Sequence, residues 1–268
     1  MHYQELIKPL VELAEAAGDR ILEVYATDFD VENKRDESPL TQADLASHRT
    51  LVPGLRELAP DIPILSEEGG LPSFAERGKW HRYWLIDPLD GTKEFINRNG
   101  EFTVNIALVV NGKPVLGIVH VPVQHTTYTG CEGHGADKRT GRQGKPEKIR
   151  VSGHAALPPR VVGSRSHRGA SLDAFLERLG EFDMVPMGSS LKFCVVAEGA
   201  ADVYPRLGPT SEWDTAAAQA VVEQAGGKVV TTDGRPLAYN RKDDILNPWF
   251  VVIGATDRNW LALLPDRE

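Results

Sequence analysis

The chain has 268 residues, 41% of them hydrophobic and 25% charged. That length suits one large domain or two modest ones sharing a core, and the composition excludes a disordered chain, a collagen and a disulfide-rich mini-protein. Lys and Arg number 30 against 38 Asp and Glu, a net charge of -8, which argues against a general nucleic-acid binder because such a protein needs a basic footprint.

Leu6, Leu10, Leu13, Ala17, Ile21 and Val24 recur at helical spacing, so residues 3–26 read as a long amphipathic helix. The same stretch is acidic and has neither the basic nor the apolar region of a signal peptide. Residues 27–40 are charged, end in Ser38-Pro39 and read as a loop. Thr41 and Asp44 have the spacing of an N-cap and an acidic third helical residue, so a helix starts there. Pro53 is expected to kink or shorten it. Short buried strands are expected at 62–65 and 83–86. Residues 104–110 and 115–121 flank Asn111-Gly112 and read as a hairpin, with a third strand at 123–130. Residues 132–148, rich in Gly, Lys and Arg, read as an exposed loop.

Beyond residue 150 apolar strands alternate with helices. Strands are expected at 160–164, 182–187, 201–204, 228–231 and 249–254, and helices at 171–179, 190–199 and 214–225. The expected fold class is α/β: an α+β half over 1–150 and an α/β half over 151–268, packed with no long linker. No stretch approaches the roughly 18 apolar residues of a membrane span. Cys131 and Cys194 are too few for a disulfide framework and point to a reducing, cytoplasmic compartment.

The most informative stretch is Asp87-Pro88-Leu89-Asp90-Gly91-Thr92. A strand carries two carboxylates out of the core and a proline fixes the turn. A glycine then lets backbone N–H groups approach a ligand, and a hydroxyl follows. Carboxylates and a carbonyl at this spacing are hard oxygen ligands suited to Mg²⁺. A chance match to the five fixed letters arises on the order of 10⁻⁴ per chain. Taken alone, Glu67 and Glu68 would pass for a solvated turn, Asp214 for a helix-start carboxylate and Asp44 for a capping acid.

Three motifs occur in order: Ser66-Glu67-Glu68, Asp87 to Thr92, and Trp213-Asp214-Thr215-Ala216-Ala217. In these the chain resembles the lithium-sensitive, Mg²⁺-dependent phosphatase superfamily of inositol monophosphatases, fructose bisphosphatases and bisphosphate nucleotidases. The resemblance spans essentially the whole sequence and implies that superfamily's layered α-β-α-β-α sandwich. It implies metal ligation by Glu67, Asp87, the Leu89 carbonyl, Asp90 and Asp214, with two or three Mg²⁺ ions and inhibition by Li⁺ or excess Ca²⁺. Asp44 and Thr92 match the pair that orients the attacking water. Gly91 and Thr92 N–H groups would hold phosphate, and Glu67, Leu89, Asp90 and Asp214 would also touch substrate.

Residues 83–108, 188–199 and 204–210 are similar to those of the bacterial 3'(2'),5'-bisphosphate nucleotidases. That likeness implies removal of the 3'-phosphate from 3'-phosphoadenosine 5'-phosphate, or from its phosphosulfate relative, in sulfur assimilation. Ser189, Lys192 and Arg206 then become nucleotide-binding candidates, because inositol monophosphatases lack this Ser-Ser-Leu-Lys and Tyr-Pro-Arg pairing. Arg suits bidentate phosphate contact or base stacking. Ser164-Arg165-Ser166-His167 is a further candidate. The alternatives are an inositol monophosphatase and a catalytically silent nucleotide sensor. His125, Cys131 and His134 fit no zinc template. Lys138, Arg139, Arg142, Lys145 and Lys148 read as a solvated basic loop, which leaves room for a weak peripheral association with the cytoplasmic face of the inner membrane.

Overall fold

The computed structural model describes residues 3–27, 31–33, 39–164 and 169–265. A 3-10 turn at Tyr3–Leu6 leads into α1 (Ile7–Tyr25), whose Leu10, Ala14, Ala17 and Ile21 are fully buried at the expected helical spacing. The segment read as a loop instead contains β1 (Val31–Asn33) and β2 (Pro39–Thr41), paired antiparallel. Helix α2 (Gln42–Leu58) opens on the expected capping box: Thr41 donates to Asp44 Oδ2 through its N–H at 2.9 Å and its hydroxyl at 2.6 Å. Pro53 does not shorten α2, which continues to Leu58. A proline forfeits a helical hydrogen bond there, and the fully buried Leu51 and Leu55 hold the helix to the core across the gap.

Next come β3 (Ile64–Ser66), a 3-10 turn at Glu67–Gly69, and α3 (Phe74–Arg77). They are followed by β4 (Arg82–Asp90), α4 (Thr92–Ile96), β5 (Thr103–Val110) and β6 (Lys113–Val121). Strands β7 (Thr126–Cys131), β8 (Gly135–Thr140) and β9 (Glu147–Lys148) complete a seven-stranded sheet in the order β3-β4-β5-β6-β7-β8-β9. Strands β8 and β9 correct the loop expected at 132–148. They form the sheet's edge, where Lys and Gly are tolerated. Four of the five basic residues there pair with acids, while Arg142, Lys145 and Lys148 stay exposed as expected. Lys138 bonds Glu198 at 2.6 Å, Lys148 bonds Asp137 at 2.9 Å, and Arg139 and Arg142 pair with Glu15 and Asp19.

The remaining elements are β10 (Arg160–Gly163), α5 (Ala170–Leu179), β11 (Asp183–Pro186), α6 (Leu191–Ala197) and β12 (Val203–Arg206). Then follow α7 (Ala216–Gln224), β13 (Lys228–Thr231), β14 (Phe250–Ile253) and a 3-10 turn at Trp260–Leu263. The five strands form a mixed sheet ordered β11-β10-β12-β14-β13.

Alternation along the strands builds the layers, because successive side chains leave opposite faces. On β4, Trp84 and Ile86 join α1 and α2 in one core, whereas Tyr83 and Leu85 join α6 and α7 in another. On β14, Phe250 and Val252 enter that second core, and Val251 and Ile253 pack with Phe175 and Leu176 of α5. The result is a five-layer α-β-α-β-α sandwich with α6 and α7 between the sheets. Buried on both faces, these strands read as continuous apolar runs. Helix α7 sits directly on the large sheet's backbone: a Cβ on Gly117 would lie 2.1 Å from the Ala217 carbonyl oxygen. Among the described residues no helix is long and apolar enough to cross a membrane. Both cysteines are free and buried.

Candidate active site

Strands β3 and β4 run parallel with Ser66 opposite Ile86. The pairing between them ends there, and the next residues, Glu67 and Asp87, emerge side by side. Strand β4 does not stop at residue 86. It pairs with β5 through Asp87–Asn105, slips, and rejoins at Asp90–Thr103. Such a bulge re-aims side chains at a strand end. The turn is fastened from both sides: Ser47 of α2 donates to the Pro88 carbonyl at 2.7 Å, and the buried Leu89 donates its N–H to Asp87 Oδ1 at 3.0 Å. Gly91 has φ 93°, and a Cβ there would meet Ser189 Cβ at 3.0 Å. Only glycine makes that left-handed bend and close approach at little cost. Thr92 opens α4, anchored by Phe95 against Tyr25 and Phe102. Helix α4 packs against β2, whose last residue caps the helix start carrying the buried Asp44.

Asp214 reaches the same place from the other half. Thr210 Oγ1 and the Ser211 N–H donate to its Oδ2 at 2.7 and 2.9 Å. One carboxylate oxygen each of Glu67, Asp87 and Asp214 lies within 4.8 Å of the others. Burial raises the Asp87 pKa well above the usual carboxylate range. The charges of Glu67, Asp90 and Asp214 and a hydrogen bond to Glu67 push it further. Asp90 is raised to about 7 by burial and by Asp214, against the pull of Lys192 and the Ser190 N–H, which donates to its Oδ2. Burial also raises Asp214, opposed by its Thr210 and Ser211 hydrogen bonds and by Arg206. Acids so crowded and so dry are stable as anions only beside added positive charge. An all-oxygen, anionic donor set suits Mg²⁺, Mn²⁺ or Ca²⁺. The residues present therefore fit a divalent cation. Among the described residues this is the one cluster of His, Cys, Asp or Glu arranged to ligate a metal.

Next to the acids is a polar chamber of about 150 Å³. Asp90, Gly91, Ser164, Ser189, Lys192, Arg206 and Asp214 all line it, so seven of the sequence candidates share one cavity. Glu67, Asp87, Leu89, Asp44 and Thr92 are not among its walls. Lys192 is buried, 9% exposed, with its ammonium 5.8 Å from the Tyr204 ring centre. Burial lowers its pKa while Asp90 holds it up. The chamber shares Lys93, Ser164, Tyr204 and Arg206 with a second cavity of about 440 Å³ lined also by Leu172, Pro205, Leu207 and Pro209. Of the Ser164 to His167 candidate, Ser164 lines both chambers, and residues 165–167 lie outside the described residues. A larger cavity of about 550 Å³, between α1 and strands β7 and β8, shares no residue with this cleft.

Sequence reasoning missed the residues that brace the site. Ser190 Oγ bonds Asn105 at 2.9 Å and Thr103 at 2.8 Å, joining α6 to β5. Glu101 accepts the Gly188 N–H at 2.8 Å. No local pattern marks these partners, which are 85–87 positions apart in the chain.

The inositol monophosphatase family profile matches residues 2–259. The chain is 51% identical over 249 residues to the 3'(2'),5'-bisphosphate nucleotidase CysQ of Escherichia coli O157:H7, covering 92% of this chain and 99% of that protein. It is 37% identical to the enzyme of the same name from Haemophilus influenzae, over 97% of each chain. Among solved structures, CysQ of Bacteroides thetaiotaomicron superposes with a TM-score of 0.84 at 42% identity, over 94% of this chain and 98% of that one. An inositol monophosphatase from Anabaena gives 0.77 at 26% identity, over 99% and 98%. Matched over more than nine-tenths of its length in sequence and in fold, the chain belongs to the inositol monophosphatase family.

Proposed function

We propose that this chain is a Mg²⁺-dependent 3'(2'),5'-bisphosphate nucleotidase that converts 3'-phosphoadenosine 5'-phosphate to AMP and phosphate. Near-complete coverage at 51% identity to a protein of that name supports the substrate class. The structural observation that carries the reading is the shared cavity, in which Lys192 and Arg206 face Asp90 and Asp214. A phosphate held between the carboxylates' cations and these two basic side chains is bound from both sides. The adjoining partly apolar cavity has the character of a nucleoside site.

Glu67, Asp87, Asp90, Asp214 and the Leu89 carbonyl would hold the metal ions. Bound there, Mg²⁺ supplies Lewis-acid charge that neutralises the phosphate and makes water a better nucleophile. The protein's own task is then positioning and electrostatics. Thr92 Oγ1 and Asp44 hold the attacking water, and Asp44 takes its proton. The Gly91 and Thr92 N–H groups hold phosphate oxygens. Ser189 and Lys192 orient the transferred group, and Arg206 serves the second phosphate or the base. Inhibition by Li⁺ and by excess Ca²⁺ belongs to the same reading. Two buried thiols suit a reducing, cytoplasmic setting.

Phosphate release is the test, measured with Mg²⁺ on 3'-phosphoadenosine 5'-phosphate and inositol 1-phosphate side by side. The nucleotide is expected to be hydrolysed with a kcat/KM at least ~100-fold higher, as a missing charge-assisted contact or two would dictate. Faster hydrolysis of inositol 1-phosphate would overturn the substrate assignment. Binding of the nucleotide without turnover would favour a silent sensor.

A further inference from the structure

Asp214 stands on an irregular segment, residues 210–215, and its position is only as fixed as that segment. The segment lies against a second irregular stretch, residues 240–247. The Glu212 N–H donates to the Ile245 carbonyl at 2.9 Å, and the Asn247 N–H to the Thr210 carbonyl at 2.8 Å. Asn247 Nδ2 donates to the Ser211 carbonyl at 2.8 Å and to Thr215 Oγ1 at 3.0 Å. Both carboxylate oxygens of the buried Glu212 accept the Asn240 N–H at 2.9 Å.

The second stretch is exposed over residues 241–244 and needs an anchor of its own. That anchor comes from the other half of the chain. Arg77, the last residue of α3, is wholly buried. Its Nη1 donates to Asn240 Oδ1 at 2.5 Å, and its Nη2 to the Lys242 carbonyl at 3.1 Å and to the Asp243 carbonyl. Asn240 Nδ2 returns a bond to the Arg77 carbonyl at 2.6 Å. Asn240 adopts φ 54°, a left-handed conformation that Asn tolerates better than most residues. A buried guanidinium is costly unless its donors are satisfied; here Nη1 and Nη2 are both spent on one loop, while Nε has no hydrogen-bond partner among the described residues.

We propose that Arg77, acting through Asn240 and Glu212, is a positioning residue for Asp214 and thereby sets the affinity of the carboxylate cluster for divalent cations. This rests on the reading of that cluster as a metal site. Arg77 touches no ligand. It fixes the loop that fixes the segment that aims the carboxylate. Loss of an outer partner of a metal ligand typically costs 10–100-fold in metal affinity or activity.

The test titrates Mn²⁺ into the metal-free full chain and reads free Mn²⁺ by electron paramagnetic resonance, with melting temperature in EDTA measured alongside. Arg77→Met is expected to weaken Mn²⁺ binding about 10–100-fold. Asn240→Gly keeps the left-handed backbone and the N–H to Glu212 but deletes the bridge to Arg77, so it should weaken binding about 10-fold. Arg77→Lys should recover little, since an ammonium cannot reproduce the fork. A lower melting temperature with unchanged Mn²⁺ affinity in Asn240→Gly would reduce Arg77 to a structural latch and overturn the proposal, even if Arg77→Met fails to fold. A wild-type chain that binds no Mn²⁺ would overturn the metal site and this proposal together. Wild-type Mn²⁺ binding that weakens in Arg77→Met and in Asn240→Gly supports the proposal, even where the wild type leaves 3'-phosphoadenosine 5'-phosphate intact and only the substrate reading fails.

Discussion

Burial raises the proton affinity of Asp87, Asp90 and Asp214, and neighbouring carboxylate charges raise it further at Asp87 and Asp90. Such a cluster is arranged for a ligand at the expense of the metal-free fold. Asp87→Asn keeps an acceptor for the Leu89 N–H and gains a donor toward Glu67. In EDTA it should raise the melting temperature by about 2–4 °C, the shift for ~1 kcal/mol in a chain of this size, while abolishing Mn²⁺ binding and phosphate release. A melting temperature below wild type would show that the acids are not in conflict. Lys192 is buried beside Asp90, not solvated on a helix face. Lys192→Ala and Arg206→Ala should each raise KM for the nucleotide about 10–100-fold, because a charge-assisted contact contributes about 1.5–3 kcal/mol. Steady-state kinetics showing an unchanged KM would remove them from the site. At this scale the local motif from Asp87 to Thr92 was legible because its geometry is encoded in six consecutive residues. Lys192, Arg206 and Asp214 were legible through resemblance. Ser47, Ser190, Asn105 and Arg77 were not, because their partners are distant in sequence and each looks ordinary alone.

Elements were legible where one periodicity dominated. The stripe of α1 and the Asn111-Gly112 hairpin, with φ 51° and 78°, emerged as read. The edge strands β8 and β9 did not, since their Lys and Gly content describes a solvent edge as well as a loop. Contacts between elements were invisible for a different reason: they depend on what a helix meets. Gly18 of α1 faces the buried His120 of β6, and a Cβ there would sit 2.8 Å from the ring. Gly18→Ala should therefore destabilise by about 1–3 kcal/mol through overpacking, against a helix-propensity gain of roughly 1 kcal/mol. A rise in urea midpoint would refute it. His120 also titrates with folding. Burial, with His125, Arg139 and Arg142 nearby, lowers its pKa from 6.5 to about 4. The unfolded chain then binds the proton more readily between those values. This contribution is complete above pH 6.5, falls as pH drops toward 4, and amounts to roughly 3 kcal/mol. His120→Asn, retaining a partner for Thr127 Oγ1, should flatten that part of the stability–pH curve. An unchanged slope would place the acid sensitivity elsewhere.

At the scale of the whole molecule the two sheets share one interior. Leu85, Val109 and Val119 of the large sheet pack in the same core as Tyr204, Phe250 and Val252 of the small one, with Ala217, Val221 and Cys194 between them. Removing either sheet would expose α6 and α7, whose faces are apolar on both sides. The halves meeting near residue 150 should therefore unfold together. Urea denaturation is expected to give one transition, coincident by tryptophan fluorescence and far-ultraviolet circular dichroism. The carboxylate cluster adds a second coupling, because Glu67, Asp87 and Asp90 precede that junction and Asp214 follows it. A cation that binds only the folded state stabilises by RT ln(1 + [L]/Kd), about 2.7 kcal/mol at 100 times Kd. Mg²⁺ should accordingly move the entire transition to higher urea, by the same amount for both probes, and Asp214→Asn should greatly reduce the shift. If Mg²⁺ moved the fluorescence transition alone, or if fragment 1–150 folded and bound Mn²⁺ as tightly as the full chain, the halves would be independent and the site would belong to one of them.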